Sequence, residues 1–539
     1  MNREAFASEF DGDAIQYFYE PFLAEFDQEL RRKLGVWYTP REIAEYQVAR
    51  ADYHLKQHLG ISEGLAEPTV YILDPACGTG TYIAAILRHI YQINIENGES
   101  STVAAERART AATRRVLGFE LLPAAFIICH LNITRLLQQL DGVPRGEERL
   151  RVYLTNALTG WDGNNPPSGE TLFPELQEEL RHAATVKHAE PVLVVIGNPP
   201  YEGYSTAETA EERRMLTPWI APLWSEWGLR KHRLNDPYVR FWRLALERIV
   251  QFTGRGVVSF ITNRKWLAGR SYPTMRENIV TSFQVIRVDD LHGAVDDATH
   301  PGDQSVFSTT IAAGIKRGTA IVTAVRTGAS QGDQIADVRI YDYWGSATGK
   351  RAELAAGSWD SSRDYRYVSL SRETWWRLTP SVAGEEAPVD HYLPSYLSGV
   401  QPVRDDAVLA FDKQTLQTRM RDYFNPAISH AQIIARHPGF GVERARYNAK
   451  ATRDRLLASS SYIAQRIVRV LYRPFDVRWL YWQPEGKLLN EARVELIPYW
   501  EDVPDQRCLV LPPGLRQSHV IMAGCCGDTP RVAFSRPGW

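Results

Sequence analysis

Apolar residues recur along this chain in two rhythms. In residues 4–34 they return at three- and four-residue steps, with Tyr17, Phe18, Phe22, Leu23, Phe26 and Leu30, which predicts a helical lead-in ending at Gly35. From about residue 70 the rhythm changes to short apolar runs: Val70–Leu73, Val116–Phe119, Val152–Leu154, Val192–Ile196, Val257–Ile261, Val285–Val288 and Ile311–Ile315. Tyr82–Ile93 and Ala124–Leu140, lying between runs, have helical period and length. Unbroken apolar runs alternating with helices mark a parallel sheet covered on both faces, so the pattern predicts a doubly wound, Rossmann-like α/β domain with a seven-stranded, mostly parallel sheet. Residues 157–190, with the polar run Asn164–Gly169, and the Trp- and Arg-rich residues 202–234 read as irregular insertions on one rim of the sheet. After about residue 345 the alternation fades, which predicts a second, mixed domain.

The ends of the apolar runs carry the candidate chemistry. ILDPACGTGTYIAAIL, residues 72–87, leads a strand into Asp74 and Pro75, turns through Gly78 and Gly80, and enters a helix. Doubly wound sheets bind ligands in that crevice. Glycine lets backbone approach a ligand that a Cβ would exclude, and Asp74 can accept hydrogen bonds from an ammonium or an ordered water. The dinucleotide fingerprint fails, because Ile83 stands where its third glycine belongs, and no lysine completes a phosphate loop. A nucleotide-like cofactor other than NAD or ATP fits. In VLGFELLPAAF, residues 116–126, Glu120 ends the next run, where a carboxylate can hold a ribose diol. Taken alone, such an acid also reads as a helix cap or a surface group.

VLVVIGNPPYEGY, residues 192–204, delivers Asn198, Pro199, Pro200 and Tyr201 to the same edge. An exocyclic aromatic amine is a poor nucleophile because its lone pair is delocalised into the ring. Acceptance of its two N–H groups by the Asn198 side chain and the Pro199 carbonyl would turn that lone pair towards a methyl donor. Two prolines stiffen the turn, and Tyr201 offers a face for stacking a base. Rate would come from placement and fixed dipoles, with no covalent intermediate. A plain proline turn is the alternative.

Composition narrows the setting. A chain of 539 residues with 44% hydrophobic residues has room for two or three globular domains. Its five cysteines form no CxxC pair, which favours a reducing, cytosolic setting with neither disulfides nor a metal site. No signal peptide and no apolar stretch of membrane-spanning length is evident. A formal net charge of −2 argues against binding nucleic acid through bulk charge. A local groove is another matter: from Arg436 to Arg478 there are ten basic residues, among them Arg444, Arg446, Lys450 and Arg453, against three acids. These are candidate phosphate contacts, or a solvated helix face with buried ion pairs.

The co-occurrence of DPACGTG and NPPY resembles the amino-group DNA methyltransferases. GVWYTPREIAEYQVARADYHL, residues 35–55, resembles the motif that closes over the methionine end of their cofactor, and it precedes the glycine loop as in the gamma class. LNDPYVRFWRLAL, GVVSFITNRKWL, MRENIVTSFQVIRVDDLHG, QSVFSTTIAAGI and YRPFDVRWLYW follow in the order of the methyltransferase part of type ISP, single-polypeptide restriction-modification enzymes. The resemblance covers about residues 15–482. It implies a class I methyltransferase fold using S-adenosyl-L-methionine. Tyr38, Thr39, Pro40, Asp74, Ala76, Gly78, Gly80, Glu120 and Asn156 would hold that cofactor, and Asn198, Pro199, Pro200 and Tyr201 would be catalytic. The implied activity is methylation of adenine N6 in double-stranded DNA, as the modification component of a restriction-modification or phage-defence system, alongside any separate restriction or specificity subunits. The domains expected are a coupler-like lead-in at 1–34, a catalytic domain at 35–345 and a DNA-contacting region at 346–539.

Some features depart from the family pattern. Only 57 residues follow Trp482, where such enzymes carry a long target-recognition domain, so a shortened one is expected. Asp303 and Gln304 stand in an unremarkable loop, and the QSVF stretch is assigned no chemistry. NPPY also serves enzymes that methylate RNA bases or protein glutamine, and cytosine N4 poses the same lone-pair problem. A DNA-binding subunit with little turnover is the reading from another class.

Overall fold

Val192–Gly197 forms a strand in which all six residues are buried. Neither of its faces is open to polar side chains, hence a run without alternation. In the computed structural model this strand belongs to a sheet whose members, in chain order, are β1 (Tyr71–Asp74), β2 (Val116–Glu120), β3 (Val152–Leu154), β4 (Val192–Gly197), β5 (Gly256–Asn263), β6 (Val285–His292), β7 (Thr319–Arg326), β8 (Asp337–Asp342) and β9 (Arg366–Tyr367). The structure describes residues 39–380 and 400–494 apart from 162–173, 202–208, 230–231, 295–299, 301, 309–316, 329–333, 358–363, 401, 403, 444–446, 474–475 and 493, together with strands at Cys508–Val510 and Ile521–Ala523. The expected lead-in at 1–34, Tyr38 and the run Ile311–Ile315 lie outside the described residues.

The spatial order is β3-β2-β1-β4-β5-β7-β6-β8-β9. The first five run parallel, β7 is antiparallel to both β5 and β6, β8 is parallel to β6, and β9 is antiparallel to β8. The sheet thus has nine strands among the described residues and not seven. The sequence reading missed β7, β8 and β9: β7 starts eight residues past Ile311 in a second apolar run, β8 alternates polar and apolar positions without the unbroken run that marks a buried strand, and β9 has only two residues.

Alternate side chains feed two cores. Ile72, Val194 and Val257 point to one face, and Leu73, Val195 and Val258 to the other. The first face is covered by α1 (Arg41–Leu59), α2 (Thr81–Glu96) and α4 (Pro123–Gln139), with α3 (Ser101–Arg114) packed against α2. In α2 the apolar positions Ile83, Ile86, Leu87 and Ile90 fall at helical spacing and are buried. The second face receives α5 (Pro174–Ala189), α6 (Ala210–Ser225), α7 (Pro237–Leu246) and α8 (Pro273–Ser282), with Trp219, Trp242 and Trp266 fully buried among them. The two stretches expected to be irregular rim insertions therefore each contain a 16-residue helix, α5 and α6.

Helix α9 (Ala347–Ala355) and β9 belong to the same compact unit as the sheet, which extends to Ala383. The unit from Gly384 onward has its own core of Val400, Leu416, Met420, Phe440, Val470 and Leu480. This core packs between the antiparallel strands β10 (Leu409–Ala410), β11 (Ile467–Arg473) and β12 (Asp476–Tyr481) and the helices α10 (Lys413–Tyr423), α11 (His430–Arg436) and α12 (Ala449–Ser459).

Candidate active site

Strand order reverses where β1 lies between β2 and β4, and the carboxyl ends of these strands open into one cleft. Pro75, Ala76 and Gly78 after β1, Glu120 at the end of β2, Thr155 to Leu158 after β3 and Asn198 to Tyr201 after β4 all line it. A Cβ at Gly78, whose φ is +54°, would meet nothing within 4 Å, so the glycine leaves a cradle open to the cleft. Gly80 serves differently. It caps α2 at φ +91°, and a Cβ there would come 2.8 Å from Cys129 Sγ, so its role is close packing beneath the loop.

Asp74 is 1% exposed. One carboxyl oxygen accepts the Ala76 amide at 3.1 Å and the other has no hydrogen-bond partner. Burial, with Glu120 adding to it, pushes the carboxyl up to about 8. A buried polar atom left unmatched is costly, so a cationic ligand group here would be strongly favoured. A side chain at Gly197 would stand 2.7 Å from Asp74 Oδ1, so glycine is required beside it. In Glu120, Oε2 accepts the Gly78 amide at 2.9 Å and Oε1 the Leu122 amide at 2.7 Å. Burial raises the Glu120 carboxyl, while those amides pull it back. The same carboxylate therefore ties the glycine loop to β2 and keeps acceptor capacity for a diol.

Asn198 Nδ2 donates to Thr39 Oγ1 at 3.0 Å, joining two motifs that lie 159 residues apart. Thr39 is buried and Pro40 caps α1. That helix is fixed to the sheet by Gln47, which donates to Ser259 and accepts from Tyr82. Tyr201 is 3% exposed, with its ring edge-on to Phe307 at 6.4 Å between centroids. Burial raises its phenol well above the ordinary value, so it stays neutral: a wall, and neither base nor nucleophile. Asn156 is held at both ends of its amide, Oδ1 accepting from Leu158 N at 2.9 Å and Nδ2 donating to Glu212 Oε1 at 3.0 Å, with one further N–H and one further lone pair left for a ligand.

Sequence reasoning missed Glu212, Phe307 and Lys187. Glu212 closes a capping box at the start of α6 and lines the cleft. Its TAEE segment carries the capping signal, although nothing there says that the helix reaches the site. Phe307 sits in the QSVF stretch to which no chemistry was assigned.

The candidate phosphate contacts fare unequally. Arg453 is 2% exposed and donates to the carbonyls of Tyr423 at 2.9 Å, Asn425 at 2.9 Å and Ile428 at 2.7 Å. It is a structural arginine and is withdrawn from the set, because no phosphate can reach it. Lys450 is exposed and pairs with Asp454 at 2.9 Å. Arg444 and Arg446 lie outside the described residues. At the far part of the sheet edge, Asp290, His292 and Asp342 have the geometry of a metal trio, but both oxygens of Asp290 are engaged by Arg264, at 2.7 and 2.6 Å, and Arg366 pairs with Asp342. That cluster reads as ion pairing.

Comparison with known proteins matches three consecutive segments: N-6 DNA Methylase over residues 11–146, Eco57I restriction-modification methylase over 156–296, and Type ISP C-terminal specificity domain over 391–526. The adenine-specific methyltransferase PglX of Streptomyces coelicolor is 24% identical over 283 residues, 49% of this chain and 22% of that protein. Among solved structures, the DrdV-DNA complex aligns with a TM-score of 0.61 at 24% identity, over 88% of this chain and 46% of that one. The ATP-dependent Type ISP restriction-modification enzyme LlaBIII bound to DNA aligns with a TM-score of 0.60 at 20% identity, over 88% and 31%. The chain spans less than half the length of each of these relatives. No helix among the described residues is long and apolar enough to cross a membrane. In the order that its motifs imply, segments of the chain that match an N-6 DNA methylase and an Eco57I restriction-modification methylase are followed by one that matches a Type ISP C-terminal specificity domain.

Proposed function

We propose that this protein methylates adenine N6 in double-stranded DNA, as the modification component of a restriction-modification or phage-defence system. The observation that carries the proposal is one cleft at the strand-order reversal lined by both the glycine loop and the Asn198–Tyr201 turn, with a partnerless carboxyl oxygen of Asp74 beside it. S-adenosyl-L-methionine, which methyltransferase domains of this family imply, supplies a sulfonium-bound methyl group when bound. Asp74 would take its ammonium and Glu120 its ribose hydroxyls. Tyr38, Thr39 and Pro40 would close the methionine end, and Asn156 with its loop would receive the adenine.

At the other end of the cleft, Asn198 Oδ1 and the Pro199 carbonyl would accept the two N–H groups of the target amine and free its lone pair. Asn198 Nδ2 donates to Thr39 Oγ1, a contact that holds the amide in place at the turn. Pro200 holds the turn stiff, and Tyr201 with Phe307 forms an apolar wall for the flipped base. Catalysis is then placement and preorganised dipoles. Residues 346–539 would position DNA, with Lys450, Arg444 and Arg446 on phosphates, and separate subunits would supply cleavage or further specificity. Residues 1–34 would join the catalytic domain at 35–345 to such parts.

The test is to incubate the protein with labelled cofactor and bacterial DNA, digest to nucleosides and find the methyl. Label in N6-methyldeoxyadenosine is expected, whereas label confined to RNA, protein or cytosine overturns the proposal. Asn198→Ala should lower kcat about a hundredfold, roughly 3 kcal/mol by analogy with loss of one oxyanion donor, and leave cofactor affinity unchanged.

A further inference from the structure

Lys187 is a buried cation that these steps do not use. It lies in the last turn of α5, where a helix end favours positive charge, and is 3% exposed. Its ammonium donates to Thr155 Oγ1 at 3.0 Å, the Asn156 carbonyl at 2.7 Å and the Thr159 carbonyl at 2.8 Å. The ring centroids of Phe119 and Trp161 stand 5.3 and 5.9 Å from Nζ. Among the described residues it has no carboxylate ion-pair partner, so its charge is balanced by loop oxygens and ring faces.

Those oxygens belong to the loop after β3, in which Thr155 to Leu158 line the cleft. The loop is gripped from its other side by α6, where Glu211 accepts from Gly160 N at 2.9 Å and Trp161 N at 3.1 Å, and Glu212 holds Asn156. We propose that Lys187 is a positioning residue for the nucleoside end of the cofactor: its charge clamps residues 155–159 into the shape that receives the adenine, and affinity falls when the amine is neutral. This rests on reading the cleft as the S-adenosylmethionine site.

Burial brings Lys187 down to about 8, with Glu211 opposing the fall. The clamp is therefore charged at neutral pH and loses its charge above pH 8. A neutral amine has one proton fewer for its three acceptors, and its remaining hydrogen bonds lose their charge assistance. The charged and titratable groups on the elements packed around it are Glu211 and Glu212 of α6, Arg248 after α7, Tyr153 of β3, and His188 on α5 itself. Asp74 also titrates near 8 but meets no cation in the ligand used below, and Lys187→Arg, which fixes only the charge at 187, separates its titration from that of Lys187.

The experiment is calorimetric titration of the full chain with 5′-methylthioadenosine, the nucleoside part of the cofactor without amino or carboxylate groups. The wild type should bind about tenfold more weakly at pH 9.5 than at pH 7, the weight of one charge-assisted hydrogen bond. Lys187→Met should bind weakly at both values, and Lys187→Arg, which keeps its charge throughout, should show no fall. If Lys187→Met does not fold, as thermal melting would reveal, the wild-type profile and Lys187→Arg carry the test. A flat wild-type profile, or wild-type-like binding by Lys187→Met, overturns the proposal while S-adenosylmethionine binding at pH 7 leaves the cofactor reading intact. Failure of the wild type to bind S-adenosylmethionine at any pH overturns both.

Discussion

Asp74 is a carboxyl group held where it prefers to keep its proton. With its value near 8 in the free protein, most molecules at pH 6 to 7 are protonated there, and an ammonium needs the carboxylate. Cofactor binding must then expel that proton. Affinity should therefore rise with pH up to about 8, by close to tenfold per unit below that value, and calorimetry at pH 6.5 in buffers of different ionisation enthalpy should report release of nearly one proton. Asp74→Asn should bind weakly without that rise. A wild-type affinity independent of pH between 6 and 8 would refute the assignment. Asp74, Glu120 and Asn198 were legible in the sequence because each stands within two residues of the end of an apolar run, and strand ends in a doubly wound sheet converge by topology. Lys187 and Phe307 were not, since what sets Lys187 against the loop after β3 and Phe307 against Tyr201 is packing between segments apart in the chain.

At the level of elements, the buried face of α12 explains what a count of charges conceals. Thr452, Arg453 and Leu456 fall at helical spacing on its inner side, so the arginine between them is drawn in with its neighbours. Its guanidinium then satisfies the carbonyl of Tyr423, in the last turn of α10, and two carbonyls of the turn that follows. Removing it leaves three acceptors unmatched, at about 1 to 3 kcal/mol each where water cannot reach. Arg453→Ala should lower the unfolding free energy read from urea denaturation by roughly 3 kcal/mol in total, while Lys450→Ala, which breaks one exposed pair, should stay within about 0.5 kcal/mol. In DNA binding the pattern should reverse, with the salt dependence reduced by Lys450→Ala. Equal stability of the two variants would contradict this division. The strands β1 to β6 could be read from apolar runs because both their faces are covered. Strand β8 could not, because only alternate positions, Val338 and Ile340, are fully buried.

Across the whole molecule, charge and topology each hide an internal arrangement. The basic stretch from Arg436 to Arg478 looks free in sequence, yet Arg436 pairs with Asp422, Lys450 with Asp454 and Arg478 with Asp476. The sheet holds a further consequence in β7, which is later in the chain than both strands it separates. It covers all eight residues of β5 on one side and most of β6 on the other. During synthesis from the ribosome, β5 can dock on β4, but the edges of β5 and β6 that face each other emerge bare and stay unpaired until residues 319–326 arrive. Bare edges of apolar strands recruit other chains. A chain stopped at residue 318 should be made as insoluble aggregate even though it contains the glycine loop and the Asn198 turn, whereas the full chain should be soluble at equal expression. Comparable solubility of the two would mean that β5 and β6 close on each other without their late partner; the expected result makes the last-arriving central strand the step at which a nascent chain most needs a chaperone.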